Sequence, residues 1–102
     1  MAAKTLKQEA REFLGDVPEE NAFKSVSGHI LRNISDLADE LKNISDSDYA
    51  RHVNTEKNDF VNWVRDCIKD STLVRDLQRA PNRGQAAKAV ASRVNVLSKR
   101  LS

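Results

Sequence analysis

At 102 residues the chain has room for one hydrophobic core, since two independent cores of half that length would each bury too little surface. Its 39% hydrophobic and 31% charged residues exclude a disordered polymer, and its single cysteine excludes an internal disulfide; no apolar run comes near the roughly 20 residues a bilayer-spanning helix needs. The net charge of +2 is unevenly spread: residues 1–50 carry six Lys/Arg against ten Asp/Glu, residues 51–102 carry eleven against five, and no acid follows Asp76.

Three glycines and two prolines force few turns, which favours long helices over many short strands. Residues 3–14 read as a first helix with Leu6, Ala10, Phe13 and Leu14 on one face, and Gly15 as a stop that tolerates positive φ. Asp16 to Asn21, with Pro18, reads as a linker, so the expected organisation is an N-terminal helical extension over 1–16 and a helical domain over 17–102. Ser27-Gly28 is a turn signal between two short apolar segments. A small β-hairpin over 23–31 is compatible with this, and the sequence leaves open whether those residues are strands.

Residues 34–44 predict an amphipathic helix, with Ile34, Leu37, Ala38, Leu41 and Ile44 at helical spacing and Asn33 or Ser35 as cap. Ser45-Asp-Ser-Asp48 resembles a capping box flanked by an Ile44–Tyr49 staple, so a short helix is expected over about 46–53. A further helix is expected from about Thr55 to Lys69, with Phe60, Val64, Cys67 and Ile68 inward and Trp63 at the edge of that stripe. Ser71 is expected to cap a short helix carrying Leu73, Val74 and Leu77. Ala80-Pro81 ends it, and Asn82 with Gln85 opens a last helix over about 83–101. Ala87, Val90, Val94, Leu97 and Leu101 alternate spacings of three and four there, as in helix bundles. The expected fold is therefore mainly α, a compact bundle of four to six helices with room for a short hairpin near 23–31.

The block His52-Val53-Asn54-Thr55-Glu56-Lys57-Asn58-Asp59-Phe60, followed by Trp63-Val64, is the most distinctive stretch of the chain. Preceded by Phe23, Gly28-His-Ile30 and Asn33-Ile34, and followed by Asp70 and Leu73-Val74, it resembles a small archaeal domain family of unknown function with an HVN-x-EKNDF-x-x-W core. The resemblance spans roughly Pro18 to Leu97. It implies an archaeal-type intracellular domain and carries no activity with it. The chain departs from the family pattern by its helix at 3–14 and by Val74, where a small residue commonly follows the leucine.

Taken as chemistry, the block offers few candidates. His52 with Glu56 or Asp59 could form a base or a metal site, but two histidines and one distant cysteine fall short of the three or four ligands zinc takes. The better reading places His52 at a helix end, meeting free carbonyls, with Asn54 or Thr55 starting the next helix. Asn58 and Asp59 then fall on the first turns, where a carboxylate favours the helix dipole and Asp59 can pair with Arg51 or His52. Phe60 and Trp63 read as core bulk, and Cys67 as a small buried hydrophobe. His52, Asn54, Asn58, Asp59, Phe60 and Trp63 are thus expected to be structural. No catalytic residue, metal site or cofactor is predicted, and no phosphate-binding glycine pattern occurs.

The acid-free C-terminal segment carries the remaining functional signal. With Val90, Val94, Leu97 and Leu101 turned inward, Lys88, Arg93, Lys99 and Arg100 are expected on the outer face, with Arg79 and Arg83 nearby. Such a face could bind phosphates, although it lacks interleaved aromatics and any nucleic-acid motif. The primary expectation is a non-enzymatic interaction module for a protein partner. The alternative is binding of RNA, DNA or a ribosomal surface through those six residues. No membrane association is expected. The lone cysteine, and an N-terminus without the apolar stretch of a secretory signal, lead to a cytoplasmic, reducing location for a monomer or homodimer.

Overall fold

The structure is a computed structural model that describes residues 3–102. Each of its six α-helices among those residues begins at a side chain that takes up a free backbone N–H. Thr5 opens α1 (Leu6–Leu14) through a reciprocal capping box with Gln8. Asn33 opens α2 (Ile34–Asn43), Ser45 opens α3 (Asp46–His52), and Asn58 opens α4 (Asp59–Trp63). Asp70 opens α5 (Ser71–Arg79) and Asn82 opens α6 (Arg83–Leu101). Each such cap contributes about 1 kcal/mol, enough together to decide where short helices begin.

Between α1 and α2 lies a single 3₁₀ turn, Glu19–Asn21, and then a hairpin. Its strands β1 (Phe23–Lys24) and β2 (Ile30–Leu31) pair antiparallel, with Phe23 opposite Leu31 and Lys24 opposite Ile30. Gly28 occupies the tip at φ 97°, a conformation that side chains with a Cβ rarely adopt. Two strands of two residues cannot hold themselves together in water, so the pair depends on the helices beneath it.

One core holds the helices. α6 runs antiparallel to α2 and packs along it, with α1 laid on α6 and α5 flanking α6. Ile34, Leu37 and Leu41 of α2, Phe60 of α4, Leu73 of α5, and Val90 and Leu97 of α6 are essentially buried. The radius of gyration, 13.4 Å, is that of a single packed body of this length, about 13 Å. The molecule is mainly α, as the apolar periodicity predicts, and the short antiparallel hairpin that the sequence left open is present. The stretch expected as an extension joins this core: Ala10 is completely buried, and Phe13 and Leu14 pack against its edge. Met1 and Ala2 of that stretch lie outside the described residues.

Several local expectations are corrected. The first helix starts at Leu6 rather than at residue 3, and Leu6 itself is 63% exposed instead of facing inward. Gly15 ends α1 with φ −72°, so no left-handed residue is used there; a Cβ would stand 3.2 Å from the Arg11 carbonyl, and close approach explains the glycine. The helix expected from Thr55 begins four residues later. Val53 bridges back to Asn58, the Asn54 N–H donates to the Lys57 carbonyl at 2.9 Å, and the Asn54 side chain accepts from the Glu56 N–H, so 54–57 is a tight turn. α4 then widens into one π-helical turn, Val64–Ile68, and stops at Lys69, a non-glycine residue in the left-handed region at φ 68°. Asp70, not Ser71, caps α5.

Candidate functional site

The turn at 53–58 folds the end of α3 back against the start of α4, and this positions His52. The imidazole is buried, 5% exposed. Its Nδ1 lies 3.0 Å from Asp59 Oδ2, and its Nε2 accepts the Val26 N–H at 3.1 Å. A backbone N–H can only donate, so Nε2 is the unprotonated nitrogen and Nδ1 carries the hydrogen that Asp59 receives. The Phe23 and Phe60 rings lie 5.1 and 5.0 Å from the imidazole, and the Trp63 indole N–H donates to the Asn21 carbonyl at 2.7 Å. His52 therefore meets a hairpin amide and a carboxylate, and not the free carbonyls expected of a helix end. Burial raises the Asp59 pKa, but hydrogen bonds from His52 and Lys57 outweigh it and hold the carboxyl below its ordinary value. An Asp–His pair is half of a relay for general-base catalysis, yet here the basic nitrogen is already occupied by the protein backbone.

A second polar cluster sits beneath the hairpin. Glu40 of α2 is buried at the centre of Leu37, Leu41 and Ile44. Its carboxylate accepts from Ser27 Oγ at 2.5 Å and from His29 Nδ1 at 2.8 Å. Burial pushes the Glu40 pKa up, and hydrogen bonds from Ser25, Ser27 and His29 bring it below the ordinary carboxylate value. Serine, histidine and glutamate are together, but Ser27 and His29 both donate to the carboxylate, so no ring nitrogen accepts the serine proton. Sequence reasoning missed this cluster. Its signal was available, because Glu40 falls in the 37, 40, 41, 44 row, where a solvated glutamate has no place.

The basic residues do not form the expected outer face. Arg93 turns inward and makes a two-pronged ion pair with Asp70, Nε to Oδ2 at 2.7 Å and Nη2 to Oδ1 at 3.1 Å. Arg83 reaches from the start of α6 to the carbonyls of Leu41 and Lys42 at the end of α2, and to Asp46 at 2.7 Å. Arg100 is partly buried, with Nη1 enclosed. Arg79, Lys88 and Lys99 remain exposed; Arg79 and Lys88 border a shallow cleft of about 330 Å³ between α5 and α6. Burial, followed by the neighbouring Asp66, raises the Cys67 thiol pKa, which disfavours the reactive thiolate. Among the described residues no three His, Cys, Asp or Glu side chains are placed to hold a metal ion, and no helix is long and apolar enough to cross a membrane.

A groove of about 410 Å³ lies between α2 and α6. Ala38, Ala87 and Ala91 form its floor, and Asp39, Lys42 and Lys88 its rim. Lys42 and Lys88 are exposed and make no ion pair among the described residues. In the sequence Ala38 and Ala87 read as members of inward apolar rows, and neither Ala91 nor Lys42 stood out. Comparison with protein-family models, curated proteins and solved structures finds no match to this chain, so the resemblance of its central block stands on those residues alone.

Proposed function

We propose that the protein is a non-enzymatic helical module that binds a protein partner. The observation that carries this reading is the groove between α2 and α6, where the alanines Ala38, Ala87 and Ala91 stay at least partly uncovered by the fold. The geometry of His52 supports it: the Asp–His pair best placed for proton transfer spends its basic nitrogen on the Val26 amide and serves the fold. Affinity capture from native lysate, with and without nuclease, tests it. A protein retained at stoichiometric level after nuclease treatment is the expected result. Substrate turnover that disappears in His52 or Asp59 variants would overturn the reading, as would capture of nothing but nucleic acid.

A second reading, binding of RNA or DNA, draws on Arg79 and Lys88 sharing one cleft, which Asp76, the last acid of the chain, also lines. Of the six basic residues expected to meet phosphates, Arg79, Lys88 and Lys99 remain exposed, so if these three alone carry the binding, log affinity should fall against log salt with a slope of about −3. Lys88→Glu should abolish that binding.

A further inference from the structure

We propose that the α2–α6 groove is the seat of an acidic amphipathic helix, which rests on the reading of the protein as a partner-binding module and assigns the partner's chemistry. Ala87 and Ala91 lie one turn apart on α6, and Ala38 and Lys42 one turn apart on α2, so the two walls present i, i+4 rows. Rows of this kind accept the apolar ridge of a third helix, and alanine floors let its backbone approach closely. The end of the groove is braced: Arg83 joins the α6 start to the Leu41 and Lys42 carbonyls and to Asp46. A groove held open before binding lowers the ordering cost of filling it.

The rim selects the charge. Lys42 stands on one wall and Lys88 on the other, both exposed and both without an ion-pair partner among the described residues. A helix with apolar residues along one ridge and carboxylates on each flank satisfies both lysines, and Asp39 leaves a place for one basic residue. A nucleic acid would engage the lysines but leave the alanine floor wet and meet Asp39 with phosphate. A second copy docked groove to groove would offer one carboxylate, Asp39, to two lysines and leave one lysine of each copy without a counter-charge.

The test uses the full chain and a synthetic peptide of roughly 18 residues, long enough to form helix on its own, with leucines along one ridge and glutamates on both flanks. Comparators are the same peptide with lysine flanks and a single-stranded RNA of about 16 nucleotides. Fluorescence anisotropy should show saturable binding of the glutamate peptide, and amide shifts should centre on Ala38, Lys42, Ala87, Lys88 and Ala91. Ala91→Glu, and separately Lys42→Glu with Lys88→Glu, should each weaken that binding by about tenfold or more, or 1.4 kcal/mol. Both are surface changes, and thermal unfolding confirms that each variant folds. Absent binding, equal affinity for the two peptides, preference for the RNA, shifts elsewhere, or concentration-dependent self-association that competes with the peptide would each overturn the proposal. Repeating the lysate capture with Ala91→Glu separates the two levels. A native protein retained equally by wild type and variant keeps the interaction-module reading and removes the groove as its seat, whereas no protein retained by either removes both.

Discussion

Asp70 carries two duties at once, and this makes it the sharpest point at which to perturb the fold. Its Oδ1 accepts the Leu73 N–H at the start of α5, and both oxygens receive the Arg93 guanidinium from α6, with Asp70 only 1% exposed. Arg93→Met keeps the aliphatic bulk and strands the carboxylate in the core. Opposite charges about 4 Å apart attract by roughly 4 kcal/mol at an effective dielectric constant of about 20, and removing one partner of a buried pair typically costs about 3–5 kcal/mol. A domain of this size has about 5–15 kcal/mol in total, so the variant should lose about a fifth of its stability or more. Asp70→Asn retains an N-cap oxygen and removes the stranded charge. The double variant Asp70→Asn/Arg93→Met should therefore lose only about 1–2 kcal/mol, in the range of ordinary lost hydrogen bonds. Urea unfolding followed by Trp63 fluorescence reads all three, provided the m-values agree. An Arg93→Met variant within about 1 kcal/mol of wild type, or a double variant whose loss equals the sum of the singles, would refute the reasoning.

Three further outcomes are expected. Nitrogen-15 NMR at neutral pH should find His52 in the Nδ1–H tautomer, with Nε2 an acceptor; an Nε2–H resonance would contradict the Val26 bond. Glu40 and Asp59 both have folded-state pKa values below their ordinary 4.5 and 3.8, so their stabilisation is present above those values and lost as pH falls through and below them. Glu40→Gln should make urea stability less dependent on pH between about 5 and 3 than in wild type, and parallel profiles would count against the Glu40 contribution. Lys69→Gly should stabilise by up to about 1 kcal/mol, because a left-handed residue is released from its Cβ clash; a loss in thermal unfolding would show that the lysine side chain has a compensating role.

What was legible in the sequence follows the range of the interaction that decides it. The caps at Asn33, Ser45 and Asn82 act within three residues, and each stands next to an unambiguous apolar period. The start of α4 was not legible in the same way. Asn54 and Asn58 can both cap a helix, and the choice is made by the Val53–Asn58 bridge and by Asp59 meeting His52. The hairpin was a matter of compatibility only, since its strands are too short for a period and are held by His52, 26 residues from Val26. Arg93 is the instructive miss. It stands three residues after Val90 and four before Leu97, both completely buried, so helical geometry sets it at the edge of the inward stripe and not on the outer face where it was expected. The groove was invisible because a concavity is a relation between two helices, and Ala38 and Ala91 mark it only when α2 lies beside α6.

The Val26–His52 bond also bears on how the molecule opens. A two-residue hairpin at a surface would ordinarily fray by itself, on its own timescale, with exchangeable amides. Here the Val26 amide ends on a buried ring, and the hairpin's Phe23 touches His52, Phe60 and Trp63. Lifting the hairpin uncovers the junction of α3 and α4. The hairpin is therefore coupled to the α3–α4 junction, and the Val26 amide hydrogen should exchange with solvent only when that junction opens.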